Sequence, residues 1–354
     1  MLKILPRKKI YLLTPAPAKI HGLEYAWPKL EILTGRSSPY LRAAWRRGHP
    51  VTFLKLPQLK KTADLLKQPC VRAKLRQGSR LLVFKNSPQI EKLAQQNHWQ
   101  ILMAPARFNQ LLEDKINFIS FAQQHRLPIL PTQLKICKEI HFQKPLVIQT
   151  RRGHAGESTF FVHSPTELKA LQQKIGKWLV KVTPYQQLPT FSLNLCLTSS
   201  QTFYTQPFYQ ITGDPRLNPR GSGGVDFGRA QQLLSPPAIQ RILQFARRVG
   251  AALRQINYRG ICGLDFLVSP RQIWLLELNP RLLANLGFLT QQQHALGETT
   301  LLTCHLLEFL KIKIPPLPAI SQVTSGRFEL KHSPPSNPFF SQIFSPAPRG
   351  ASAS

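Results

Sequence analysis

Acidic side chains are scarce in this chain. Sixteen Asp and Glu stand against 47 Lys and Arg, a formal net charge of +31 over 354 residues. The first 80 residues alone hold 18 basic and 3 acidic side chains. Such an excess predicts non-specific attraction to nucleic acid and other polyanions, and fast capture of anionic substrates. The charge is spread through segments with apolar periodicity, so it describes a folded surface rather than a basic tail. Basic residues do not alternate with exposed aromatics, which argues against a stacking platform for single strands. Long apolar runs are missing too. No stretch of roughly 18 apolar residues exists, so a membrane helix is not expected. The apolar stretch from Ile10 to Leu13 is shorter than the roughly 7–15 residues of a signal-peptide core. It reads as the first strand of a domain. Cysteines are few and scattered, at Cys70, Cys137, Cys196, Cys262 and Cys304, with no zinc spacing. Cys137, Cys196 and Cys262 lie in apolar runs and read as buried thiols. The odd count points to a reducing, cytoplasmic compartment. There is no internal repeat.

What is present begins with strand–helix–strand alternation over residues 1–105. Strand-like runs occur at Lys9–Thr14, Val51–Leu56, Arg80–Lys85 and Gln100–Met103. Ser87-Pro88 before an apolar-periodic run gives a helix N-cap and a proline at the first helical position. The alternation predicts an α/β unit with a parallel sheet. From 106 to 312 the pattern changes. A helical run at Ile116–Gln124 precedes a strand at Pro145–Thr150, a glycine-containing turn at 153–159 and a strand at Phe160–Val162. Ser164 and Glu167 have capping-box spacing. Strands follow at Phe191–Leu197 and Gln201–Gln210. Then comes a Gly- and Arg-rich stretch, 211–229, read as a substrate-facing loop with Arg216, Arg220, Gly223 and Asp226. The helix Pro237–Ile256 shows one apolar face. Residues 313–354 read as a Pro/Ser-rich tail with one possible strand at 322–330.

The densest chemistry lies at residues 260–285. Asp265 sits in an apolar run, a Ser-Pro-Arg-Gln turn follows, and a second apolar run ends in Glu277-Leu278-Asn279-Pro280-Arg281. Alternation puts Glu277 and Asn279 on one face, and strand pairing can add Asp265. Two carboxylates and an amide oxygen beside an arginine suit Mg²⁺ or Mn²⁺, hard cations that take oxygen ligands.

This hairpin resembles the C-terminal signature of the ATP-grasp superfamily, a GxDF-type strand followed by an ENPR-type strand. Asp114-Lys115, its helix and the segment His125–Thr132 resemble the family's entry motif. The resemblance covers about 200 residues. It implies an ATP-grasp fold of two α+β subdomains gripping ATP, with a hinge near 180–185, behind a Rossmann-like pre-ATP-grasp domain. It also implies Mg²⁺ on Asp265, Glu277 and Asn279. The ATP contacts it implies are Lys115, Gln149, Arg151, Gly153, Gly156 and Ser158, with backbone groups of Lys181 and Thr183 at the adenine edge. Arg281 would lie near the phosphates or the acyl intermediate. Apart from the resemblance, His154 is the histidine read as a candidate to assist proton transfer or contact phosphate, the alternative being plain polar surface. The activity implied is ATP-dependent joining of a carboxylate to an amine through an acyl phosphate, in a protein that is often a homodimer. Two positions depart from the family. Gln149 stands where many members carry a phosphate-binding Lys, and the hinge has no carboxylate. They leave a second reading open, a non-catalytic nucleotide or polyanion binder on a degenerate ATP-grasp scaffold.

Overall fold

The computed structural model describes residues 8–17, 20–54, 59, 61–151, 158–218 and 221–329. The first sheet is fully parallel. Its strands are β1 (Ile10–Leu13), β2 (Leu30–Thr34), β3 (Val51–Phe53), β4 (Arg80–Val83) and β5 (Gln100–Ile101), in the order β3-β2-β1-β4-β5. Helices α1 (Pro39–Arg46), α2 (Thr62–Leu66), α3 (Pro69–Lys74) and α4 (Pro88–Gln96) connect them. Strand β2 is a run the sequence does not advertise, because Glu31 interrupts its apolar residues. The carboxylate is tolerated there because Lys9 and Lys74 lie 2.5 and 2.9 Å away and Thr52 donates a hydrogen bond.

Two further sheets follow. The smaller is antiparallel, with β6 (Gln133–Ile136), β7 (Leu146–Thr150), β8 (Thr159–Val162) and β9 (Leu179–Pro184) in the order β6-β9-β7-β8. The larger contains β10 (Thr190–Leu197), β11 (Thr202–Tyr204), β12 (Phe208–Thr212), β13 (Ser222–Asp226), β14 (Gly260–Val268), β15 (Ile273–Asn279) and β16 (Arg327–Glu329). Its order is β15-β14-β10-β12-β13-β16, with β11 pairing β10. Helices α5 (Arg107–Leu112), α6 (Lys115–Gln124), α7 (Pro165–Ile175), α8 (Phe227–Leu233), α9 (Pro236–Gln255), α10 (Leu286–Ala295) and α11 (Leu301–Phe309) complete the chain.

One capping device recurs. Helices α1, α4, α7 and α9 each start with Ser-Pro, at Ser38, Ser87, Ser164 and Ser235. Each serine oxygen accepts the backbone N–H three residues on. The proline costs nothing there, since its missing N–H would have no partner in the helix.

Two readings are corrected. The run Gln201–Gln210 is not one strand. It breaks after Tyr204, and Pro207, which has no N–H to give a ladder, lies in the gap before β12. The stretch 211–229 is not a free loop. It contains β13 and the start of α8. Gly224 serves pairing: at φ +151° its missing Cβ would sit 2.1 Å from the Phe328 carbonyl oxygen on β16.

The helices after β15 return to the first sheet. Leu286, Leu289, Leu301, Leu302 and Leu306 share one core with Ile10, Leu12, Leu33 and Leu82. Gly287 on α10 meets the His21–Gly22 backbone. On α11, Thr303 donates to the Ala26 carbonyl at 2.8 Å. His305 ties three pieces together: its Nδ1 accepts from Ile261 N–H of β14, and its Nε2 donates to the Leu102 carbonyl just beyond β5. Burial drops the imidazole pKa to about 4, the Leu102 contact opposing that only in part. An unfolded His titrates near 6.5, so below that pH the unfolded chain binds a proton the folded chain refuses. Stability is therefore expected to fall as pH drops from about 6.5 to about 4, by up to about 3 kcal/mol. Urea midpoints across that window would show the slope, and His305→Gln should flatten it. An equal slope in the variant would assign the effect to other groups.

Candidate functional site

The site is built on the β14–β15 hairpin. Ser269 closes its turn, accepting the Gln272 N–H. Register pairs Gly263 with Asn279 and Asp265 with Glu277, then shifts so that Phe266 meets Leu275. Leu276 is the extra residue of a β-bulge, which re-aims the end of β15. Directly opposed residues share a face, so Asp265, Glu277 and Asn279 converge. Ser192 on β10 is paired with Asp265 and extends the row by one strand.

These groups hold one another tightly. Ser192 Oγ and Gln210 Nε2 donate to Asp265 Oδ1 at 2.5 and 2.6 Å. Asn279 Nδ2 donates to Asp265 Oδ2 at 3.1 Å and to Glu277 Oε1 at 3.3 Å. Burial and the neighbouring Glu277 push Asp265 well above the ordinary carboxylate range. Burial acts on Glu277 in the same direction, but Lys115 and the hydrogen bonds from Asp265 and Asn279 outweigh it and hold Glu277 low. Two carboxylates held this close resist carrying two charges at once without a cation. That donor set fits a divalent cation, which would let both ionise. The amide bridging the two carboxylates presents oxygen to the same place when turned end for end.

Opposite the hairpin stand the small sheet and the start of α6, enclosing a cavity of about 860 Å³. Asp114 caps α6, accepting the Ile116 and Asn117 N–H groups. It also binds Arg151 Nε at 2.5 Å, and Arg151 Nη2 reaches Asn117. Arg151 is therefore committed to this junction and does not line the cavity. Lys115, Gln149, Ser158, Lys181 and Thr183 do line it. Gln149 donates sideways to Thr159 Oγ1 at 3.0 Å. Lys181 is only 5% exposed. Burial drops its pKa to about 8, while Glu277 pulls it up and Lys115 down. Leu130, Val147, Leu267 and Leu275 give the cavity an apolar slot beside the 184–189 segment.

Arg281 lines the same cavity. Its Nη2 donates to Asn279 Oδ1 and its Nε to Glu113 Oε1, both at 2.8 Å, and Glu113 also pairs with Lys85 beyond β4. Lys85, Glu113, Ser192 and Gln210 are site residues the sequence reading does not pick out. Glu113 had a signal, standing directly before Asp114-Lys115. The others reach the site through pairing and packing over long sequence distances.

Of the expected substrate residues, Arg216, Gly223 and Asp226 do not line the cavity. Arg216 is a surface residue whose fork closes on Asp214 two positions back. Gly223 lies where a Cβ would meet Leu217 at 2.5 Å, a packing constraint. Asp226 caps α8 through the Arg229 N–H and faces Arg327. The neighbouring Gly221 and Ser222 do line the cavity. Gly153, His154, Gly156 and Arg220 lie outside the described residues, as does 330–354.

No protein family's sequence profile matches the chain, and no curated protein is similar to it in sequence. Solved structures are similar in fold. A biotin carboxylase from Campylobacter jejuni in complex with β,γ-ATP superposes with a TM-score of 0.65 at 13% identity, covering 88% of this chain and 73% of that one. N5-carboxyaminoimidazole synthetase from Staphylococcus aureus in complex with ADP gives 0.60 at 12%, covering 87% and 79%. N5-carboxyaminoimidazole ribonucleotide synthetase from Thermus thermophilus gives 0.60 at 15%, covering 90% and 81%. These likenesses show the ATP-grasp fold. Among the described residues, no helix is long and apolar enough to cross a membrane.

Proposed function

We propose that this chain uses its ATP-grasp fold as an ATP- and Mg²⁺-dependent ligase that joins a carboxylate to an amine. The observation carrying the reading is the row Asp265, Glu277 and Asn279, facing Lys115 and Lys181 across one cavity. The apolar slot suits adenine, with backbone groups near Thr183 for its edge. Asp265, Glu277 and Asn279 would hold Mg²⁺, which neutralises phosphate charge when bound. Ser192 and Gln210 orient Asp265 from below. The substrate carboxylate attacks the γ-phosphorus, the β–γ bridging bond breaks, and ADP leaves. The amine then attacks the acyl carbon, phosphate departs with the acyl C–O bond, and the nitrogen gives up a proton. Lys115 and Arg281 place positive charge where these oxygens gain negative charge. Arg281 meets Glu113 and Asn279 in this structure, so Glu113 positions it.

The test is calorimetry of ATP with and without Mg²⁺ at moderate salt, beside ADP release with pooled amino acids and dipeptides. A +31 surface binds any triphosphate weakly by charge, and salt screens that contribution. The expected result is salt-resistant, Mg²⁺-dependent binding, with ADP release raised by one pool. Binding that ignores Mg²⁺ and vanishes with salt would sink the reading.

A further inference from the structure

We infer that Lys181, reaching from β9, supplies the phosphate-directed cation on the small-sheet side of the cavity, a role that Gln149 on β7 leaves unfilled. The inference rests on the nucleotide reading above and names how that site binds phosphate.

Strand register carries the argument. Thr159, Gln149 and Lys181 form one cross-strand row over β8, β7 and β9. Phe161, Val147 and Thr183 form the next row on the same face. All six line the cavity. The second row is mainly apolar and suits a base; the first is polar and carries the only charge of the six. Within that first row Gln149 is neutral and spends its amide N–H on Thr159. Arg151, two residues on, is held by Asp114 and Asn117. Lys181 is the remaining cation of the sheet's cavity face.

Its surroundings point the same way. The ammonium lies 5.6 Å from the Phe118 ring centroid, and among the described residues no carboxylate comes within ion-pair distance of it. Glu277 and Lys115 are its electrostatic neighbours, which places it beside the candidate metal row rather than beside the base. A buried ammonium without a partner costs free energy, and an arriving anion removes that cost. Direct opposition of Gln149 and Lys181 also means a lysine at either position presents its charge to nearly the same region, since such pairs stand about 5 Å apart at Cβ.

The experiment compares binding of Mg·ATP and of adenosine, the latter at millimolar concentration, to the wild type, Lys181→Gln, Lys181→Arg and the transposed Gln149→Lys/Lys181→Gln. A charge-assisted hydrogen bond is worth about 10–100-fold in affinity. Lys181→Gln is expected to lose about that much for Mg·ATP and nothing for adenosine, which also shows that it is folded. Lys181→Arg should keep most of the affinity, and the transposed pair should recover it to within a few-fold. Equal losses for ATP and adenosine, no loss for ATP, or no recovery in the transposed variant would each overturn the inference. A wild type that binds no Mg·ATP would instead overturn the nucleotide reading on which it stands.

Discussion

Glu277→Gln is expected to reduce Mg²⁺-dependent ATP affinity by at least about 100-fold, since even changes in the shell behind a metal ligand cost 10–100-fold. The same substitution should leave the nucleotide-free protein folded, with a change in stability small beside the loss of binding. Asp265 and Glu277 are opposed across the hairpin and repel when both are ionised. The substitution removes that repulsion and also the attraction between Glu277 and Lys115, two opposing effects, while burial still holds the Asp265 carboxyl above its ordinary range and the Gln amide fills the space. Thermal unfolding without nucleotide and calorimetry with Mg·ATP would therefore move independently. Undiminished, Mg²⁺-dependent binding in the variant would show that the cation sits elsewhere. A large drop in apo stability would show that Glu277 acts as a structural anchor.

Gly287→Ala is expected to cost about 3 kcal/mol, the upper part of what overpacking typically costs. A Cβ there would lie 1.7 Å from the His21 carbonyl oxygen, and one on Gly22 would lie 2.2 Å from the Gly287 carbonyl. Both neighbours are main chain, so neither can swing aside as a side chain would. Relief requires α10 to back away from the Leu23–Ala26 turn. Gly228→Ala is the control. Its Cβ would meet only Asp226 Oδ1 at 3.6 Å, ordinary contact in the first turn of α8, so a change within about 0.5 kcal/mol in the stabilising direction is expected. Urea denaturation of the two variants would decide. A Gly287→Ala protein as stable as its parent would mean the helix and the turn are not in contact.

The parts of this site legible in the sequence are those set by local periodicity. Alternation along a strand is enough to place Glu277 beside Asn279, and a Ser-Pro pair is enough to start α4. Asp114 before Lys115 likewise announces a capped helix. What escaped is set by pairing between distant segments. Ser192 and Gln210 lie 73 and 55 residues from the Asp265 they bond. Lys85 meets Glu113 where Asn109 of α5 donates to the Asn86 carbonyl just beyond β4. Glycine misled in the opposite sense: Gly223 and Gly224 suggest a loose loop, whereas one lets Leu217 approach and the other lets β16 pair. Arginine misled too. Arg151 is paired with Asp114, 37 residues away, and Arg216 with Asp214, two residues away, so each guanidinium is held by an aspartate of the fold.

The return of α10 and α11 to the first sheet sets a schedule for biosynthesis. All five strands of that sheet have been translated by residue 101, yet the leucines of α11 that share their core arrive near residue 309. At ribosomal rates of roughly 5–20 residues per second, that leaves about 10–40 s in which the nascent sheet shows bare aliphatic surface. A fragment ending near residue 105 would stay in that state indefinitely, a natural client for chaperones and a poor choice for expression on its own. The part of the chain that carries the β14–β15 hairpin thus also leads into the helices that finish the domain made first.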